Sequence, residues 1–130
     1  MVASQPITRI TSVSTIGIPV QDQSRALQFY TEKLGLEVRI DTVFGRERWI
    51  EVAPPGSTTT LALVRGPNQV RIGYDTQVRL ATADAEAEHA DLQARGVDVD
   101  AMIVRYPVTM FTLRDPDGNR LVVVEQLDGD

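Results

Sequence analysis

The chain carries one histidine, His89, one tryptophan, Trp49, and no cysteine, so few of its side chains can do chemistry. Without cysteine there are no disulfides, no thiolate metal sites and no thiol nucleophile. With a single histidine, a histidine-relayed serine triad has little to draw on. His89 sits between Ala85 and Leu92 in a helical pattern. It could act as a general base, but that place suits a residue with one ring edge packed and one nitrogen solvated. The remaining candidates are Glu51, two residues after Trp49, and Arg79 in an alternating segment. A guanidinium facing a partly apolar cavity would clamp a carboxylate or enolate bidentately; the plainer alternative is an ion pair with Glu51 or another acid. Glu51 is a candidate for proton transfer. Trp49 is either a stacking surface or a core or interface aromatic. In "DPDGNRLVVVEQ" (115–126) the first two acids read as turn-formers.

The elements that must position these groups repeat. "STIGIPVQDQSRALQFYTEKLGLEV" (14–38) and "TQVRLATADAEAEHADLQARGVDV" (76–99) each run from an alternating strand through a helical stretch to a glycine and another strand. Asp22 and Asp84 lie 62 positions apart, and Gly35 and Gly96 lie 61 apart. Asp22 or Ser24, and Thr82 or Asp84, suit helix N-caps. Leu27, Tyr30 and Leu34 give the first helix an apolar stripe, and Ala85, His89 and Leu92 give the second a weaker one. Gly35 and Gly96 suit the left-handed residue that ends a helix. Strand-like runs follow at 36–44, 46–53 and 59–65, then at 97–105, 108–114 and 120–127, with turn signals at 53–58 and 114–119. The plan is βαβββ twice: an arm over 1–12, modules over 13–65 and 76–127, a connector over 66–75, and a tail over 128–130.

The 130 residues fit one compact unit with ordinary hydrophobic content. A net charge of −5 argues against a nucleic-acid partner, which would call for a basic face. No apolar run is long enough for a membrane helix, and the N-terminus lacks the pattern of a secretory signal, so a cytoplasmic protein is expected.

The doubled plan, together with "FYTEKLGLEV" and "FTLRDPDGNRLVVVE", resembles the vicinal oxygen chelate superfamily, which includes glyoxalase I, bleomycin-resistance proteins and extradiol dioxygenases. The resemblance covers roughly 13 to 127 and implies an α+β fold: two tandem βαβββ modules forming a cupped mixed sheet with helices on the convex side. Strand alternation then sorts the residues. Ile16, Ile18, Val20, Ile50, Val52, Val78, Leu80, Phe111 and Leu113 go to the helix side. Thr15, Gly17, Trp49, Glu51, Gln77, Arg79, Ala81, Met110 and Thr112 go to the cup.

Metal-binding relatives hold their ligands on the first and last strands of each module. Matched here, those positions are Thr15, Gln77 and Val122, with no His, Asp or Glu at any register of 57–64. A hydroxyl, an amide and an isopropyl group are poor donors for a transition metal, so no metal and no other cofactor is expected. Glu125 lies an odd three residues from Val122, so it points to the other face unless a bulge intervenes. The expected ligand-binding set is Thr15, Trp49, Gln77, Arg79, Met110, Thr112 and Val122, with Glu51 the candidate catalytic group. Tyr106, before Pro107, is either at the pocket rim or in a plain turn. The resemblance also implies a homodimer with two equivalent pockets. Three functions stay open. The first is a metal-independent binder of a small planar or acidic molecule. The second is a lyase or isomerase using Arg79 and Glu51. The third is a glyoxalase- or dioxygenase-type metalloenzyme, which the donor set disfavours.

Overall fold

Two four-stranded sheets, each backed by one helix, make up the protein. The structure, a computed structural model, describes residues 7–65, 73–101, 103 and 108–126. In the first module, β1 (Thr15–Pro19) leads to α1 (Gln23–Gln28), which continues as one π-helical turn (Phe29–Lys33). Strands β2 (Glu37–Phe44), β3 (Glu47–Ala53) and β4 (Thr60–Val64) follow. The second module runs β5 (Asp75–Thr82), α2 (Ala85–Ala94), β6 (Asp98–Val99), β7 (Met110–Arg114) and β8 (Arg120–Glu125). The sheet orders are β1-β4-β3-β2 and β5-β8-β7-β6. In each, the first strand pairs in parallel with the last, and the other pairs are antiparallel. The connector's residues 66–72, Tyr106 with Pro107, and the tail lie outside the described residues.

Both helices start on an aspartate. Asp22 accepts from the Arg25 amide and Asp84 from the Ala87 amide, each at 3.0 Å. Ser24 instead accepts from the Arg48 guanidinium, and Thr82 from the Asp84 amide. Gly35 and Gly96 take positive φ, which lets each helix stop where the sequence places its glycine. The one-residue mismatch between the aspartate and glycine spacings has a structural home. The first helix holds one more residue between cap and glycine, and it absorbs it as the π-turn, where the Leu34 amide donates to the Phe29 carbonyl five residues back.

One hydrophobic core joins the modules: Ile18, Tyr30, Ile50, Val52 and Leu63 from the first, Leu92, Phe111, Leu113 and Leu121 from the second. The alternation expected for β3 and β7 holds, with Ile50, Val52, Phe111 and Leu113 buried. Two expectations need correcting. Ile16 is not packed under the helices but 37% exposed, because it stands at the outer end of an edge strand while Ile18 and Val20 reach the core. Of the expected strand over 97–105, only Asp98–Val99 is strand among the described residues. At Asp100 the carboxylate turns to Arg114 and the carbonyl accepts from His89 Nε2, so only its amide still pairs with β7, through the Thr112 carbonyl. Residues 100, 101 and 103 are not strand.

The modules are also joined through the β7–β8 turn. Asn119, fully buried, donates to the Pro19 carbonyl (2.8 Å) and accepts from the Gly73 amide (2.8 Å). It also donates to Asp115, and the Tyr30 hydroxyl of the π-turn donates to the same Asp115 oxygen at 2.8 Å. Burial first, then the Asp115 carboxylate, push the Tyr30 phenol well above its ordinary pKa, so it stays a donor. Asp117 accepts from the Gln21 amide. These acids form the turn, as read from the sequence, and also clamp one module to the other.

Candidate functional site

The faces turned away from the helices carry matching rows of side chains. Across the first sheet the middle row runs Gly17, Ala62, Glu51, Ile40. Across the second it runs Arg79, Val122, Thr112, and the next row runs Ala81, Val124, Met110.

Glu51 is the most constrained polar group on the first face. Its Oε2 accepts from Trp49 Nε1 at 2.7 Å, and its Oε1 accepts from the Thr60 hydroxyl at 2.6 Å. The Thr60 hydrogen bond, then that of Trp49, holds this carboxyl below the usual carboxylate range. Thr15, beside Thr60 in the parallel pair, donates its hydroxyl to the Thr60 carbonyl at 3.2 Å. Thr15, Thr60, Glu51 and Trp49 therefore form one chain of contacts over three strands. Thr60 was missed at the sequence level, since nothing in "STTT" distinguishes it from its neighbours; only the strand register does.

On the second face, Val122 stands between Arg79 and Thr112. Arg79 is exposed, and its guanidinium makes no ion pair or hydrogen bond among the described residues. The alternative pairing with Glu51 is not formed, because Glu51 is engaged within its own sheet. Gln77 departs from simple alternation. The β5 register shifts between Asp75 and Arg79, and Gln77 has φ 65°, a left-handed conformation uncommon outside glycine. The Asp75 carboxylate accepts its amide at 3.1 Å. Gln77 is exposed, but its place in the cup does not follow from parity with Arg79.

Thr15, Trp49 and Glu51 thus meet on one sheet, and Arg79, Val122, Thr112 and Met110 on the other. No hydrogen bond or ion pair joins the two sets among the described residues. A hollow of about 140 Å³ lies elsewhere, on the helix side, lined by Leu34, Leu36, Pro54, Leu80, Leu92 and Leu113 among others. It is smaller than the roughly 300 Å³ at which small-molecule pockets begin.

The other candidates fall outside these faces. Glu125 points to the helix side, as its odd offset from Val122 requires, and accepts from the Ala85 amide at the start of α2 (3.2 Å). The structure thereby gives α2 a second acid at its start. His89 stacks edge-on against Phe111, with ring centres 5.0 Å apart, and donates to the Asp100 carbonyl at 2.7 Å. Among the described residues, no group of three or more His, Asp or Glu side chains could hold a metal ion. The donors at the positions metal-binding relatives use do not fit one: Thr15 is bonded to a carbonyl, Gln77 sits on a register shift, and Val122 has no donor atom. No helix of the described residues is long and apolar enough to cross a membrane.

Paired βαβββ modules with open sheet faces define the class, and the sequence comparison gives the family. Residues 12–123 match the Glyoxalase/Bleomycin resistance protein/Dioxygenase superfamily, and the chain belongs to it. Among solved structures it is similar to TnmS3, an antibiotic binding protein from Streptomyces sp. CB03234. That match has 33% identity and a TM-score of 0.84, and covers 92% of this chain and 99% of that one. It is also similar to two uncharacterized proteins of Bacillus subtilis (strain 168). YurT is 30% identical over 82% of this chain and 93% of its own length. YetH is 38% identical over 48% of this chain and 57% of its own.

Proposed function

We propose that this protein binds a small planar or acidic molecule on its open sheet faces, without a metal. The observation that carries the reading is the Arg79 guanidinium, unpaired among the described residues and beside the apolar Val122, set against the constrained Trp49 of the other sheet. Arg79 would meet an anionic group and Trp49 a ring, with Met110, Thr112, Thr15 and Gln77 completing the wall. The likeness to an antibiotic binding protein supports this choice within a superfamily that spans many chemistries. A proton-transfer role for Glu51 has less support, since both its oxygens are occupied and its low pKa makes it a weak base.

The two half-sites belong to a homodimer in this reading. Val43 and Phe44 on the edge strand β2 are 62% and 65% exposed, and Ile7 and Ile10 of the arm and Val13 just after it are exposed too. A second copy would cover them and close the cups. Light scattering should give twice the chain mass, and Phe44→Glu should halve it. Calorimetry against planar carboxylates and ring-bearing antibiotics should find a ligand that Arg79→Ala loses by tenfold or more. Failure of every such compound, together with stoichiometric metal in untagged protein and turnover, would replace this reading with the metalloenzyme.

A further inference from the structure

We propose that Glu51 is a positioning residue for Trp49: braced by Thr60, its carboxylate fixes the indole in one orientation and makes the ring a preformed plate for a planar ligand. This rests on the small-molecule reading above, but the device itself stands on its own geometry. Trp49 has one hydrogen-bond donor, and it is spent on Glu51 Oε2 at 2.7 Å. The other oxygen is held at 2.6 Å by the hydroxyl of Thr60, a buried residue of the neighbouring strand. Hydrogen bonds to an ionised acceptor are about twice as strong as neutral ones, so a half-buried tryptophan on an open face loses much of its freedom. A ligand then meets a ring that needs no further ordering.

The alternatives for Glu51 are closed by its surroundings. Its cross-strand neighbours are Ile40 and Ala62. Strands β1 and β4 carry no titratable side chain. On β2 and β3, Arg39 is bonded to Glu37 and to the Ser57 and Pro54 carbonyls, and Asp41 and Arg48 are bonded to each other. Glu37 and Glu47 stand at the strand starts. The second module has no such device: Met110 and Thr112 occupy the places of Trp49 and Glu51.

Because Trp49 is the only tryptophan, its fluorescence reports the device directly. Time-resolved anisotropy of the intact protein should show no fast ring motion in the wild type. It should show a clear fast component in Glu51→Met, a smaller one in Thr60→Val, and none in Thr60→Ser, which keeps the hydroxyl. Calorimetry with 2-naphthoate, a planar acid, should show affinity about tenfold weaker in Glu51→Met and nearly unchanged in Thr60→Ser. Circular dichroism of each variant establishes that it is folded. An indole equally rigid in all four proteins overturns the positioning role, whatever binds. Naphthoate binding Glu51→Met as well as wild type despite a mobile indole overturns the plate. If wild type takes no naphthoate, the ligand reading and the plate both fail, while the anisotropy still decides whether Glu51 positions Trp49.

Discussion

Row for row, the two modules set Gly17 against Arg79, Ala62 against Val122 and Glu51 against Thr112 on equivalent strands. The caps, terminal glycines and strand orders agree. What differs is charge and its disposition. The first module carries an acid with both oxygens held by its own sheet, and the second a base with no partner among the described residues. One scaffold, used twice, therefore supplies a rigid wall and an exposed cation. The clamp is equally one-sided. The β7–β8 turn of the second module reaches Pro19, Gln21 and Tyr30 of the first, whereas the corresponding loop of the first module receives Arg39 from its own sheet. Repetition fixes the backbone, and a handful of divergent side chains decide what each half does.

That asymmetry can be broken at the clamp first. Asn119→Ala removes a buried side chain that serves Pro19, Asp115 and Gly73 together, and should cost on the order of 3 kcal/mol in urea unfolding. Tyr30→Phe deletes one charge-assisted bond to Asp115 and should cost about 2 kcal/mol in the same assay. If either variant is as stable as wild type, the modules do not depend on this turn.

The first positions of the two sheets offer a sharper contrast. Gln77→Gly relieves a left-handed residue and should raise stability by roughly 0.5–1 kcal/mol. Thr15→Gly, at the position the sequence matches to Gln77 but in a strand of unbroken register, loosens that strand and loses the bond to Thr60, and should lower stability by about 1 kcal/mol. Equal signs in thermal unfolding would mean that the register shift in β5 is not a real difference between the modules.

Two smaller effects depend on pH. Burial first, with the Asp115 carboxylate also contributing, raises the Asp117 pKa, so the folded state binds this proton more tightly than the unfolded chain. Its ionisation then works against folding as pH rises through the ordinary aspartate value to the raised one. Asp117→Asn should raise the melting temperature at neutral pH, and the gain should vanish on acidification below the ordinary value. Glu51 has the opposite sign. Its depressed pKa means the hold on Trp49 is complete above the ordinary glutamate value and is lost as pH falls through the lowered one. Acidification should shift Trp49 emission only below the usual carboxylate range, and Thr60→Val should move that transition upward.

Much of the architecture is legible in the amino-acid sequence. The two glycines, the βαβββ order and the buried sides of β3 and β7 follow from local geometry, because strand alternation and helix termini depend on a few neighbouring residues, while each helix cap is narrowed to two candidates. Even the odd offset of Glu125 predicted its face, although not that it would cap α2. Beta6 failed for a non-local reason: the Asp100 carbonyl goes to His89, eleven residues back, and no run of strand-forming residues reveals that competition.

The order of elements and the face of most strand residues are properties of the amino-acid sequence itself, since they need only residue type and period; the weakness of the donors at Thr15 and Val122 follows from residue type once the family resemblance picks out those positions. Strand register and side-chain reach belong to the tertiary structure. They alone bring Thr60 to Glu51 across nine residues and Tyr30 to Asp115 across eighty-five, and leave Arg79 unpaired among the described residues. Hydrogen bonds act over about three ångströms, and which groups come that close is decided only when the chain has folded.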